Sequence, residues 1–265
     1  MGITIALAQM ALTLGEPETN YQKADKWVSI AADGGADIVL LPELWASGFD
    51  LKNCHLYASS LKEGYFLRMS SLAKEQKIAV GGSLIERDGE DFYNTFALYN
   101  AYGELITFYR KVHLFQLLKE EQYFQPGNQL ALADTEWGRI GLAICYDLRF
   151  PEMFRAYGAG GAKLILVVAE WAQRRIEHWS LLLQARAVEN QCFVAAVNKS
   201  GTSKGETIGG YSAIINPMGE YLAQGGKDEE LLIAELNLSE VEKIRRWMPV
   251  MEDRKPEVYQ KIMDE

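Results

Sequence analysis

The chain has 265 residues, a formal charge of −9 and 48% hydrophobic residues. No linker or low-complexity stretch divides it, and a large layered α/β fold reaches this length with one core, so residues 1–265 read as one domain. The acidic balance argues against non-specific nucleic-acid binding and against attraction to a membrane surface, and an anionic ligand would need local cations. Three cysteines, Cys54, Cys145 and Cys192, are too sparse and odd a set for a disulfide framework, which suggests a reduced, cytoplasmic setting.

In chain order, ITIALAQ reads as a first strand, since the N-terminus lacks a basic leader and is too short to span a bilayer. An amphipathic stretch from about Glu18 to Asp33 reads as a helix, ADIVLLPE as a strand, the segment near Tyr65 to Gln76 as a second helix, and KIAVGGSLIE as a strand. DFYNTFALYN and ELITFYR are period-two runs separated by AYG, the pattern of a hairpin. LFQLLKEEQYFQPGNQ has no strand pattern and reads as a long functional loop with a helical turn. The alternation then resumes. GRIGLAICYD reads as a strand, PEMFRAYGAGG as a helix ending in glycines, AKLILVVAE as a strand and RIEHWSLLLQARAVENQ as a helix. CFVAAVN, YSAIINPMG and LLIAELN are the closing strands. Near-continuous apolar runs mean burial on both faces, so a layered α/β architecture is expected.

Three of the apolar runs, IVLLPE, ITFYRK and IGLAIC, end in a reactive side chain: Glu43, Lys111 and Cys145. A nucleophilic cysteine needs a base to take its proton or a cation to stabilise the thiolate. Glu43 fits the base. It would pass the proton to a departing nitrogen and then activate water against the thioester. Attack on a carbonyl creates an oxyanion, which Lys111 and the backbone N–H of Tyr146 would stabilise. The set reads as an amide hydrolase. Singly, each residue has a plainer reading, Cys145 as a core thiol and Glu43 and Lys111 as solvated strand-end charges.

Rival chemistries leave fewer traces. A Cys–His hydrolase would pair Cys145 with His55, His113 or His178, and spacing alone excludes none of them. No Cys-x-x-Cys or His-x-x-x-His pair supplies a zinc site, and no cofactor or metal is expected. The chain has no Gly-x-Ser-x-Gly elbow, phosphate loop or dinucleotide fingerprint. SGTSKGE could suggest a Ser–Lys amidase but reads more simply as a mobile loop. A non-catalytic binding module would have no need of the reactive groups.

Several ordered blocks resemble the nitrilase, or carbon–nitrogen hydrolase, superfamily: LLPELWASGF, YRKVHLF, EEQYFQPG, GLAICYDLRFPEMFR, HWSLLLQARAVENQCFVAAVNKSG and GGYSAIINPMGE. With ITIALAQM they cover nearly the whole chain. The resemblance implies a four-layer α-β-β-α sandwich, with Glu43 as general base, Lys111 as oxyanion stabiliser and Cys145 as nucleophile. It also implies a second glutamate before the aromatic-x-Pro-Gly turn, at Glu120, with Glu121 as the neighbouring alternative. The EWAQRRIEHW block and the terminal DRKPEVY look most like the ω-amidase branch, which hydrolyses the terminal amide of 2-oxo acids such as 2-oxoglutaramate. Deaminated-glutathione amidase and N-carbamoyl or aliphatic amidases are the neighbouring choices. That branch usually carries Pro after the tryptophan, where Ala172 stands here, which puts the adjoining loop in question.

A carboxylate-bearing substrate would need arginines. Arg149 follows the nucleophile by four residues, and Arg174 and Arg175 follow Trp171. Arg149 and Arg175 are the candidate substrate contacts, although Arg149 could instead brace the turn through Asp147 or Glu152. Nitrilase-type domains commonly pair next to the nucleophile-bearing helix. FRAYGAGG and the aromatic tail from Trp247 to Tyr259 are therefore candidate contacts of a homodimer or larger oligomer.

Overall fold

A computed structural model of the chain describes residues 2–263. The first strand, β1 (Gly2–Gln9), alternates large and small residues. Ile3, Ile5 and Leu7 point into the core between two sheets, while Ala6 and Ala8 face outward. Those alanines leave room for α1 (Pro17–Asp33), whose Ala24, Val28 and Ala31 form the buried helical stripe. Pro17 sits in the first turn, where its missing N–H costs nothing. Then come β2 (Ile38–Leu40), a short turn of helix α2 (Cys54–Tyr57), α3 (Gly64–Gln76) and three successive strands, β3 (Ala79–Asp88), β4 (Asp91–Tyr99) and β5 (Leu105–Arg110). Phe66, Met69 and Leu72 seat α3 on the same outer face as α1.

The second half repeats the scheme. Its elements are β6 (Leu132–Thr135), β7 (Gly138–Ile144), α4 (Pro151–Ala159), β8 (Leu164–Ala169), α5 (Ile176–Asn190) and β9 (Phe193–Asn198). A two-residue-per-strand hairpin, β10 (Thr202–Ser203) and β11 (Glu206–Thr207), precedes β12 (Ala213–Ile215), β13 (Tyr221–Gln224) and β14 (Glu230–Asn237). Helices α6 (Ser239–Trp247) and α7 (Pro256–Met263) close the described chain.

Two six-stranded sheets result, in the orders β14-β1-β2-β3-β4-β5 and β13-β12-β9-β8-β7-β6. Each has three parallel central strands with antiparallel strands at its edges. The inner faces share one core in which Leu7, Leu40 and Leu98 meet residues such as Leu142, Leu166 and Ile214. Phe154, Tyr157, Trp179 and Leu183 carry α4 and α5 on the outer face of the second sheet, which completes four layers, α-β-β-α. Every residue of β8 is buried, as a central strand covered on both faces requires.

Two elements depart from the sequence pattern. GRIGLAICYD stops being a strand at Ile144, because Cys145 takes φ +44° and opens a 3₁₀ turn over Cys145–Arg149. LLIAELN does not close the second sheet with its neighbours. It crosses back as β14 and pairs antiparallel with β1, tying the end of the sandwich to its beginning.

Candidate active site

Glu43, Lys111 and Cys145 follow β2, β5 and β7, and the sandwich brings these strand ends together. Lys111 Nζ donates to Glu43 Oε1 at 2.8 Å and to Glu120 Oε1 at 2.9 Å, and all three side chains are fully buried. Asn94 Nδ2 adds a bond to Glu43 Oε1 at 2.9 Å, and the backbone N–H of Glu170 donates to Glu43 Oε2 at 3.0 Å. Glu120 Oε2 accepts from the Phe115 N–H at 2.9 Å. Of the two neighbouring glutamates it is therefore Glu120 that reaches Lys111, while Glu121 is exposed. Cys145 adjoins this network, and the Glu43, Lys111 and Glu120 charges all act on its thiol.

Burial alone would discharge Lys111, but Glu120 and Glu43 outweigh it and hold the ammonium above its ordinary pKa. Burial pushes the Glu120 carboxyl up, against the opposing pull of Lys111. It also pushes the Cys145 thiol well above its ordinary value, with the Glu43 charge acting in the same direction. Burial thus favours the neutral thiol, which would need a proton acceptor to act as a nucleophile.

The backbone around these groups is fixed by its neighbours. Gly127, in the FQPG turn, admits no side chain, since a Cβ there would come within 2.1 Å of the Arg110 carbonyl oxygen. That close approach lets the Gly127 N–H bond the Lys111 carbonyl at 2.9 Å. Asp147 is buried and accepts from the Ile144 N–H and from Tyr109 Oη, both at 2.9 Å, which braces the turn after Cys145. Arg186, buried in α5, donates twice to the Leu148 carbonyl, at 3.1 and 2.7 Å. Tyr146 lies at the start of this turn, where backbone N–H groups have no partner within the turn itself.

None of the three histidines joins Cys145. His113 Nδ1 lies 2.7 Å from Asp147 Oδ1 and its ring stacks on Phe150 at 3.6 Å. His178 lies on α5 beside Arg149 and His55 on α2. Arg149 makes no ion pair with Asp147 or Glu152 among the described residues, so the bracing alternative fails. Its guanidinium instead lies 4.8 Å from the Trp171 ring centroid and 3.4 Å from His178 Nδ1. Asp147 is engaged by His113 and Tyr109.

A cavity of about 190 Å³ opens at Cys145. Phe49, Leu51, Phe115, Trp171 and Ile208 give it apolar walls, and Arg149 and Arg175 stand on it together. SGTSKGE is not the structureless loop its composition suggests. It folds as the β10–β11 hairpin, and Ser203, Lys204 and Glu206 reach the cavity. An Arg174–Glu206 ion pair at 2.6 Å and the pairing of Ala172 with Ile208 hold the hairpin in place. Ala172 has φ −68°, the value a proline would impose, so the loop keeps a proline-compatible geometry without the proline. Among the described residues no cluster of His, Cys, Asp and Glu is arranged to hold a metal ion.

The carbon-nitrogen hydrolase family model matches residues 4–246, and the chain belongs to that family. It is an enzyme, a carbon–nitrogen hydrolase acting on amides. Among its relatives, a 2-oxoglutaramate amidase of Bacillus subtilis (strain 168) is 37% identical over 97% of this chain and 99% of its own length. An omega-amidase of Homo sapiens is 32% identical over 96% of each chain. The structure of XC1258 from Xanthomonas campestris, a CN-hydrolase superfamily protein with an arsenic adduct in its active site, superposes with a TM-score of 0.90 at 28% identity. That match covers 96% of this chain and 98% of the other. An amidase mutant from Nesterenkonia sp. AN1, carrying the acetamide moiety of fluoroacetamide on its active-site cysteine, gives a TM-score of 0.87 at 29% identity, over 98% and 96% of the two chains.

Proposed function

We propose that the chain hydrolyses the terminal amide of a short carboxylate-bearing acid, a 2-oxo acid such as 2-oxoglutaramate, with Cys145 as nucleophile. The observation that carries the mechanism is Cys145 standing on the cavity beside Glu43, a carboxylate itself tied to Lys111 at 2.8 Å. As the sulfur attacks the amide carbon, Glu43 takes the thiol proton, and Lys111 with the Tyr146 N–H receives the developing oxyanion. Glu43 then protonates the departing nitrogen, and ammonia leaves behind a thioester. Water, deprotonated by Glu43, attacks the thioester and returns the free acid and the thiol. Glu120 holds Lys111 charged and in position throughout.

The substrate reading is supported by the pocket and by the relatives named above. Its apolar walls suit a short acyl chain, and Arg149 and Arg175 suit a distal carboxylate. Burial and the Arg174 charge both disfavour the Arg175 cation, a cost that a bound carboxylate would offset. Ammonia release from 2-oxo-acid ω-amides, deaminated glutathione, N-carbamoyl acids, neutral amides and nitriles tests this. Preference for a neutral amide removes the 2-oxo-acid reading and leaves the Cys145 chemistry in place.

We further propose that copies of the chain associate through α4 and the tail beyond α6. Arg155 Nη1 reaches Met251 Sδ at 3.5 Å, so the two candidate segments form one surface, beside which Trp247 is 71% exposed. Sedimentation of the protein and of Trp247→Glu tests it. A reduced, cytoplasmic setting is supported by three free cysteines. No described helix is long and apolar enough to cross a membrane.

A further inference from the structure

Glu170 is the first residue after β8 and stands on the wall of the cavity with Cys145. Its backbone N–H bonds Glu43, so it adjoins the proposed base directly. Its side chain is only 5% exposed, yet Oε2 has no hydrogen-bond donor among the described residues. Lys199 Nζ, itself buried, lies 3.3 Å from that oxygen, within ion-pair distance but out of line for a hydrogen bond. It turns toward the Thr202 carbonyl, 3.4 Å away. Among the described residues, other buried polar atoms without a partner, such as Asn94 Oδ1 and Ser200 Oγ, do not line this cavity.

A buried carboxylate oxygen without a donor costs free energy, so its survival on a pocket wall points to a donor that arrives with the ligand. The other two acidic groups at the site have no spare capacity of this kind. Each oxygen of Glu43 and Glu120 already accepts at least one protein hydrogen bond. A primary amide brings two N–H groups. With its carbon at Cys145 and its oxygen toward Lys111, one N–H faces Glu43 and the second must find another acceptor as it leaves water.

We infer that Glu170 is a substrate-contacting specificity residue: its free carboxylate oxygen accepts a hydrogen bond from the –NH₂ of the scissile amide and holds the leaving nitrogen beside Glu43. Glu170 transfers no proton. Lys199 Nζ faces the same oxygen at 3.3 Å without hydrogen-bonding it. An ester presents only lone pairs at that position and gains nothing from it, so the residue selects unsubstituted amides over esters of the same acid.

The inference rests on the Cys145 chemistry proposed above. Two matched pairs test it, 2-oxoglutaramate with its ω-methyl ester and propionamide with methyl propionate, so that a wrong acyl group still leaves one pair to read. The variants are Glu170→Met, the double replacement Glu170→Met with Lys199→Met, and Cys145→Ala. Both Glu170 variants remove the acceptor, and the double variant, which removes the two buried charges together, carries the test if Glu170→Met melts at working temperature. Loss of the acceptor lowers kcat/KM for the amide by roughly tenfold to a hundredfold and for the ester by less than about threefold. Equal losses on amide and ester, or no loss on the amide, overturn the inference and leave Glu170 as a support for Glu43. Turnover surviving in Cys145→Ala overturns the underlying mechanism instead.

Discussion

Behind the floor of the pocket, where Glu120 and Cys145 line it, Glu43, Lys111 and Glu120 are fully buried, and every oxygen of the two carboxylates has a protein donor. At the rim, Arg149 and Arg175 are half-buried, Lys204 is exposed, and none of the three has an acidic partner among the described residues. The floor is a closed ionic network in which each group fixes the next, so removing one leaves an uncompensated buried charge. The rim is open and can exchange its contacts for those of a ligand. If reaction belongs to the floor and recognition to the rim, as proposed, the two rest on different physics within one cavity, and variants should separate them.

The largest effect is expected at Cys145. Cys145→Ala should abolish ammonia release while melting normally, because the nucleophile acts only in the chemical steps. Cys54→Ser and Cys192→Ser should keep most of the activity, since both thiols are buried away from the cavity. Near-normal turnover by Cys145→Ala would end the nucleophile assignment. Next comes Glu43→Gln, which removes the proton acceptor at nearly constant shape and should lower kcat by about 10² or more. His113→Asn and His178→Asn measured alongside should cost far less, and a loss from either that matched Cys145→Ala would revive a Cys–His mechanism.

Lys111→Met should be as damaging to activity and adds a stability signature. It leaves Glu43 and Glu120 buried together without a cation, at a cost of about 3–5 kcal/mol. Burial already raises the Glu120 carboxyl, and without Lys111 only the Phe115 N–H bond pulls it back. A carboxyl whose folded pKa stands above its unfolded value destabilises the fold at higher pH, and that penalty fades as pH falls toward the unfolded pKa. The melting temperature of the variant should therefore approach that of the native protein as pH drops from about 8 to about 5.5. A deficit independent of pH would show that the lost packing, not the lost cation, is responsible.

Much of the floor was legible in the sequence because a charge or thiol ending an apolar run is unusual, and the family blocks fixed the order. Glu120 could not be told from Glu121, since a three-residue 3₁₀ turn leaves no periodicity to choose a face. Glu170 ends LILVVAE much as Glu43 ends IVLLPE, so the same signal is present at both positions. Asn94, Asp147 and Arg186 were invisible for another reason. Asn94 and Arg186 act on groups 51 and 38 residues away in the chain, and Asp147 joins its local bond to Ile144 with one to Tyr109, 38 residues away, through contacts that only the assembled sheets create. The β10–β11 hairpin escaped because two-residue strands carry no alternation, and its Gly and Ser content looks like any loop. The layered architecture was readable from the all-apolar central strands, whereas the return of β14 to β1 has no local cause.

At the rim, Arg175→Met should raise KM for 2-oxoglutaramate by roughly tenfold or more and hardly change that for a neutral amide of similar length, with Arg149→Met somewhat milder. Equal losses on both substrates would assign these arginines to the fold.

The smallest effect is expected at Lys204. Lys204 and Gly205 both have positive φ, +48° and +82°, so the hairpin turn asks for residues that tolerate the left-handed region. A lysine bears that conformation less easily than asparagine, so the turn does not call for Lys204, whereas a cation at the cavity lip suits an anionic ligand. Lys204→Asn keeps the turn and removes the cation. An exposed charge is well screened, so KM for an anionic amide should rise by only about two- to threefold, with kcat unchanged and the effect vanishing at high salt. Lys204→Val removes the same charge but strains the turn, and should also reduce kcat by loosening the wall that carries Ser203 and Glu206. If the two variants behaved alike and the KM change ignored salt, the contribution of Lys204 would be conformational, and recognition of the carboxylate would rest on the two arginines alone.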